Sequence, residues 1–317
     1  IGRFVSEVGL RDFDLLYANT ATTFWAIEAA ARVGIPSIWN IRESESWTGY
    51  YDFLPPQVAA RALDCFKYPY RVIFVANSTR RRWSPVDQMG NYEVIHNGLN
   101  LVRLNGSSVP RIDARRALEL GNDAIMILCL GTIAPRKGQH DLLEAFLSLP
   151  LEVAARARLY FVGARDNEYL SAMKEKVDLV DPRRSRSIFF VGETGDTENY
   201  WNAADIFVCT SRMESYPRVI LEAMAKGLPI ITTPVFGIPE QVREDVNAKF
   251  YKPGGIEELS HHLLTLIDDP EMRRQFAVNS KVVLDGLESF DSMVARYDDV
   301  FASAAFSSAP NAMPVTA

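Results

Sequence analysis

Short apolar runs alternate with stretches of helical period along almost the whole chain, the pattern that a parallel sheet covered by helices imposes. The first part predicts strands at 14–18, 36–41, 71–76 and 92–95, with a helix over 22–32 that stops at Gly34. Residues 43–56 are rich in aromatic, Ser and Pro residues and show no period, so they read as a loop lining a cleft. The strand at 92–95 runs into His96-Asn97-Gly98, a turn signal, and the polar stretch 100–110 reads as a linker.

Beyond the linker the rhythm restarts. Strands are predicted at 124–130, 158–162, 187–191, 205–209, 229–232 and 248–251, with a helix over 139–149 after the first and helical segments between the others. This half is a complete doubly wound unit, so the fold class is α/β. The first half supplies only three or four strands and no Gly-rich strand-to-helix turn. Because the chain also opens on Ile1 rather than Met, we expect the beginning of the first domain to lie upstream. Helices over 256–268, 270–286 and 289–304 close the chain, and the Ser-, Ala- and Pro-rich tail is expected to be disordered. The organisation that follows is a partial Rossmann-like domain at 1–108, a second Rossmann-like domain at 109–287, a helix at 288–306 returning to the first domain, and a tail at 307–317.

Composition narrows the function. The 317 residues carry 34 basic and 40 acidic side chains, a net charge of −6, which argues against a chain built to coat nucleic-acid phosphates. Cys65, Cys129 and Cys209 form no C-x-x-C pair and read as reduced core residues of a cytoplasmic protein. No stretch approaches the roughly 18 consecutive apolar residues of a membrane span, and no basic-then-apolar leader opens the chain.

Three stretches carry candidate chemistry. The first, Leu130-Gly131-Thr132-Ile133-Ala134-Pro135-Arg136-Lys137-Gly138, follows a strand and opens onto a helix, where open α/β sheets bind ligands. Arg136 offers a planar fork and Lys137 a movable point charge beside a helix N-terminus, a setting for a pyrophosphate; the alternative is a solvated pair on a surface loop. The second is Glu214-Ser215-Tyr216-Pro217-Arg218-Val219-Ile220-Leu221-Glu222. Pro217 fits a first helical turn, which leaves Glu214 in the preceding loop and Glu222 one to two turns inside. Carboxylates accept paired hydrogen bonds from neighbouring hydroxyls and so suit sugar and ribose. The third, Thr233-Pro234-Val235-Phe236-Gly237-Ile238-Pro239-Glu240, is a loop after another strand in which Gly237 would permit close backbone approach.

In this order the stretches resemble the retaining enzymes of glycosyltransferase family 4, which have the GT-B fold of two Rossmann-like domains facing a cleft. The resemblance runs from about Asp14 to about Val300. Val94-Ile95-His96-Asn97-Gly98-Leu99-Asn100 looks like the family's interdomain V-I-P-N-G-V-D segment, Gly131 to Gly138 like its diphosphate loop, and Glu214 to Glu222 like its E-x7-E signature. The resemblance implies that Gly131, Thr132, Arg136 and Lys137 meet the donor diphosphate, Glu214 the donor sugar's hydroxyls and Glu222 the ribose. It also places Ser215, Tyr216, Arg218 and Val219 at the donor, with the backbone of Phe236, Gly237 and Ile238 beside the sugar. Arg136, Lys137 and Glu214 are then the catalytic group. No metal is needed and no cofactor beyond the donor, a nucleoside-diphosphate sugar linked to UDP or GDP.

The acceptor is a saccharide or a lipid-linked saccharide; the second alternative would bring the protein to the inner membrane face, where Arg80-Arg81-Arg82-Trp83 could touch anionic head groups. The chain departs from the family where Thr132 replaces a common basic residue, Pro217 a common Gly, and Tyr17-Ala18-Asn19 and Asn40-Ile41-Arg42-Glu43 occupy positions often holding histidines. His140, His261 and His262 lack metal-ligand spacing and read as helix-surface residues. Rival readings are a sugar-nucleotide epimerase or phosphorylase on the same fold, and a non-catalytic sugar-nucleotide-binding or partner module. A dehydrogenase is weaker, since no G-x-G-x-x-G follows a strand.

Overall fold

A computed structural model describes residues 1–104 and 109–307. Its ten strands form two separate, wholly parallel sheets. In the first, β1 (Leu16–Asn19), β2 (Ser37–Ile41), β3 (Arg71–Phe74) and β4 (Tyr92–Val94) lie in sequence order. In the second, β5 (Ile125–Leu130), β6 (Ala157–Ala164), β7 (Ile188–Gly192), β8 (Ile206–Cys209), β9 (Ile230–Thr232) and β10 (Ala248–Phe250) run in the order β10-β9-β8-β5-β6-β7. That order reverses direction beside β5, the doubly wound arrangement whose switch point lies between β5 and β8.

Internal contacts divide the described residues into two units, one of 1–98, 214–216 and 288–307 and the other of 99–104, 109–213 and 217–287. In the first, β2 is buried along its whole length because both faces are covered. Trp39, Phe66, Phe74 and Trp83 build one side, with Phe66 stacked on Trp83 at 5.0 Å. On the other side Val300 and Ala304 of the helix Phe290–Ala305 pack with Ile38, Ile73 and Ile95. The second unit's core joins β5, β6, β8 and β9 to the helices Gln139–Ser148 and Ile256–Asp268 through Leu142, Phe146, Phe161, Leu263 and Leu266.

Differences from the expected elements have local causes. Residues 101–104 of the expected linker form a helical turn, started by the Asn100 side chain accepting the Arg103 N–H at 2.9 Å. The remainder of that linker at 105–108, the boundary drawn at 108 and the tail at 308–317 lie outside the described residues. Helices at Gly2–Val8, Pro56–Asp64 and Asn77–Trp83 are additional. Each is short, from seven to nine residues, about two turns, too few for a helical period to repeat. All three cysteines are buried and none forms a disulfide. Among the described residues no helix is long and apolar enough to cross a membrane.

One buried ion pair ties the second sheet together at the amino ends of its central strands. Arg115, only 4% exposed, comes from the helix Arg111–Ala117. Its guanidinium donates to Asp205 at 3.2 Å and to the carbonyls of Ala203, Gly121, Asn122 and Ala124. Asp205 in turn accepts the Met126 N–H at 2.8 Å, joining the start of β8 to the start of β5. Replacing Arg115 by Met would strand these acceptors. We expect a loss of about 3 kcal/mol, seen in thermal melts as a fall of roughly 6–12 °C in Tm. An unchanged Tm would refute the role.

Candidate functional site

The candidate residues of the second unit collect at the carboxyl ends of β5, β8 and β9, three adjacent strands. After β5 the chain makes a single 3-10 turn, Pro135–Lys137, and turns into the helix Gln139–Ser148 at Gly138. Gly138 has φ +66°, and a Cβ there would stand 2.3 Å from the Thr210 carbonyl oxygen, so the position needs glycine on both counts. This close approach joins the β5 loop to the one that follows β8. Arg212 N–H donates to the Arg136 carbonyl at 2.8 Å, and Thr210 Oγ1 donates to the Lys137 carbonyl at 2.6 Å. The backbone of both candidate cations is thereby held, while the Arg136 side chain is exposed and that of Lys137 half-buried.

Supporting side chains complete the loop. Gln139, 2% exposed, donates to the Thr132 carbonyl at 3.0 Å and accepts from the Ala134 N–H at 3.3 Å. Asp141 is equally buried; it accepts from Arg212 at 2.6 Å and from the Gly254 N–H at 2.9 Å. Gly131 has φ +143°, and its carbonyl oxygen lies 2.6 Å from where a Cβ on Gly163 would be. The ends of β5 and β6 therefore touch backbone to backbone. Thr132 is exposed.

The helix bearing Glu222 is Arg218–Ala225. Pro217 is its N-cap, with φ −68° and ψ 126°, and not a residue of the first turn as the sequence implied. Its extended ψ takes it out of the helix, and a proline has no side-chain oxygen with which to cap. Arg218 is exposed and Val219 half-buried at the helix start. The Glu222 carboxyl is raised above the usual range by burial, an effect that nearby Arg218 partly offsets, and no hydrogen bond to the carboxylate is made among the described residues.

Gln241, fully buried, donates to the Pro217 carbonyl at 3.0 Å and so fastens the loop after β9 to the start of this helix. Thr233 Oγ1 adds a bond to the Ser211 carbonyl at 2.5 Å. In that loop the unusual backbone lies one residue before Gly237. Gly237 is buried with an ordinary φ of −87°, whereas half-buried Phe236 takes φ +49°, a conformation costly for a side-chain-bearing residue. Ile238 is fully buried and anchors the following turn.

Glu214, Ser215 and Tyr216 belong by their contacts to the first unit. Ser215 donates to the Arg42 carbonyl at 2.7 Å and lies 2.9 Å from Ser44 Oγ. Asn97 donates to the Tyr216 carbonyl at 2.9 Å, and the buried Tyr216 ring stacks on His96 with centroids 4.7 Å apart. Glu214 is half-buried. The structure thus brings Arg136, Lys137, Glu222 and 236–238 to one sheet edge, while 214–216 are counted with the other unit. Asn40 and Glu43, at positions where histidines were sought, are committed to neighbours: Asn40 donates to Tyr17 and Tyr297, and Glu43 accepts from Thr20, the Ala21 N–H and Tyr50. His262, expected on the surface, is half-buried with Nε2 2.9 Å from the Phe250 carbonyl. Among the described residues no group of three or more His, Cys, Asp or Glu could hold a metal.

Gln139, Thr210, Arg212 and Gln241 escaped the sequence reading. None belongs to a spacing pattern, and only Arg212, three residues after a strand, offered a signal as a charged residue at a ligand-binding edge.

The family profile described as Glycosyl transferases group 1 matches residues 110–283. An uncharacterized glycosyltransferase of Methanocaldococcus jannaschii is 27% identical over 213 residues, 66% of this chain and 53% of that protein. A GDP-mannose-dependent monoacylated alpha-(1-6)-phosphatidylinositol monomannoside mannosyltransferase of Corynebacterium glutamicum is 28% identical over 243 residues, 73% of this chain and 61% of that protein. The chain spans little more than half the length of these curated relatives. Among solved structures, Anabaena HepE in complex with UDP superposes with a TM-score of 0.82 at 21% identity, covering 94% of this chain and 82% of that one.

Two outcomes follow from the site's construction. Gly138→Ala should destabilise the second unit by roughly 1–3 kcal/mol through backbone strain, measured as a lower Tm; a Tm equal to that of the parent would show that the two loops part without cost. For Glu222, a raised folded-state value means that the folded protein holds the proton more tightly than the unfolded chain, so stability falls as pH rises above the ordinary carboxyl range. Glu222→Gln should therefore match the parent near pH 4 and melt higher than it at pH 7. The opposite order would exclude burial as the cause.

Proposed function

The chain belongs to the Glycosyl transferases group 1 family and has the GT-B type of fold, two Rossmann-like α/β domains; from this premise we propose that it is a retaining glycosyltransferase of family 4. It moves a sugar from a UDP- or GDP-linked donor to a saccharide or lipid-linked acceptor. The domain at 109–287 holds the donor and the one at 1–108 the acceptor. The observation that carries the reading is the anchoring of the Arg136–Lys137 backbone by Arg212 and Thr210, at the sheet edge that also bears Glu222.

The chemistry needs little from the protein beyond charge in fixed places. When the bond between the anomeric carbon and the diphosphate oxygen breaks, its electron pair goes to that oxygen. Arg136 and Lys137, beside the N-terminus of the helix Gln139–Ser148, stabilise the negative charge that develops there without a metal. The acceptor oxygen attacks from the face the diphosphate leaves, which retains configuration, and its proton passes to the departing phosphate. Glu222 accepts the ribose hydroxyls; a half-buried carboxylate that makes no hydrogen bond among the described residues is suited to that. Glu214 accepts from the donor sugar's hydroxyls, with Ser215 and Tyr216 beside it. Gly237 offers its backbone amide, while the Ile238 N–H is held by the Val235 carbonyl at 3.1 Å and the left-handed Phe236 turns the run beside the sugar. The UDP complex of HepE and the GDP-mannose dependence in the corynebacterial relative's name support a nucleotide-linked donor and leave both bases in play.

Calorimetric titration with UDP, GDP and ADP should give one tight binder, and binding should survive EDTA. Lys137→Ala should cost on the order of 2–4 kcal/mol of transition-state stabilisation, assayed as nucleotide release with a saccharide acceptor in a form of the protein that turns over. Full turnover by Lys137→Ala would refute the assignment, and nucleotide binding with no turnover in any form would favour a binding module.

A further inference from the structure

The same unit has a second concave site, at the opposite ends of its strands. A cavity of about 520 Å³ opens at the amino ends of β8 and β9, lined by Ala204 and Asp205 ahead of one and by Leu228 and Pro229 ahead of the other. Four cationic side chains line it: Arg111, Lys226, Arg273 and Arg274. A fifth stands at its wall, since a Cβ on lining residue Gly227 would lie 3.8 Å from the Lys281 ammonium.

The charges there do not cancel. Arg111 pairs with Asp205 at 2.5 Å, but Asp205 is shared with buried Arg115. Lys226 pairs with Glu198 at 2.9 Å, and Arg274 with Glu271. Arg273 forms no ion pair: one of its terminal nitrogens donates to the carbonyls of Leu266 and Ile267 at 2.5 and 2.8 Å, and its Nε and other terminal nitrogen make no bond among the described residues. Lys281 likewise makes no ion pair among them. Adding Asp269, the N-cap of the adjacent helix Pro270–Asp285, six cations meet four carboxylates. Burial lowers the Arg273 guanidinium from its ordinary value, outweighing the nearby Asp205 and Asp269 carboxylates, while Arg274 and Arg156 push the same way as burial.

A half-buried guanidinium with two uncommitted donors, in a cavity of ligand size with excess positive charge, calls for an oxyanion. We propose that this cavity is a second anion site, taking the phosphate or diphosphate group of a small phosphorylated organic molecule. Arg273 supplies the fork, Lys281 and Lys226 add point charge, and the open volume receives the organic part. The site lies at the strand ends opposite the donor edge, so its occupancy leaves the edge bearing Arg136 and Lys137 open.

The test uses the whole chain with inorganic pyrophosphate as the probe, in a background of Arg136→Ala with Lys137→Ala so that the donor edge contributes no phosphate binding. Calorimetry should still show one equivalent bound. Adding Arg273→Gln should weaken it at least tenfold, and Lys281→Gln or Arg274→Gln at least threefold. Absence of binding in the Arg136→Ala, Lys137→Ala background would overturn the proposal, as would binding there that none of the three further substitutions weakens. Should Arg273→Gln fail to fold, the Lys281 and Arg274 variants, both on the exposed side of the helix, decide alone. UDP titration of Arg273→Gln in the otherwise unaltered chain separates the two sites: affinity within twofold of the parent means that failure here leaves the donor reading standing.

Discussion

The second unit depends on a contact between two pieces of backbone. Gly138 can reach the Thr210 carbonyl only because it carries no side chain, and that approach lets Thr210 and Arg212 bond the carbonyls of Lys137 and Arg136. Two cations on an exposed loop would otherwise lose conformational entropy whenever they gathered an anion. Here the backbone part of that loss is met on folding, by bonds formed between the ends of neighbouring strands. Preorganisation of this kind separates a binding loop from a merely basic one.

Other members of the same edge are held at a cost to the fold. Glu222 is kept half-buried as a carboxyl with a raised proton affinity, and Phe236 is kept left-handed by a loop that Gln241 and Thr233 fasten from below. Neither feature stabilises the folded chain. Both occur within the few residues where the strands end, as expected when local rules are broken for a site and the surrounding core absorbs the penalty. Arg115 and Asp205 supply part of that support from the far ends of β5 and β8.

The strands were legible because both faces of these parallel sheets are covered, leaving continuous apolar runs that stop at polar turns. Each expected strand of the second unit lies within two residues of its place. The short helix Asn77–Trp83 was not, since its burial rests on Thr79 and Trp83 alone, a single turn apart. At the site, Arg136, Lys137 and Glu222 stood out as charged residues after strands. The glutamines did not, because Gln139 and Gln241 act by reaching backbone atoms that only tertiary structure brings near. Pro217 was placed one step too far into its helix for a related reason: residue type limits φ, but the neighbouring loops set the ψ that decides where the helix begins.

The contact of Gly131 with Gly163 bears on how such an edge can diversify. With a carbonyl oxygen 2.6 Å from the place a Cβ would occupy, the floor between β5 and β6 is already filled by main chain. Natural variation there has no volume to work with. Any retuning of ligand preference along this part of the rim must instead come from side chains that rise off it, such as the exposed Thr132, so that the scaffold stays constant while its outward decoration drifts.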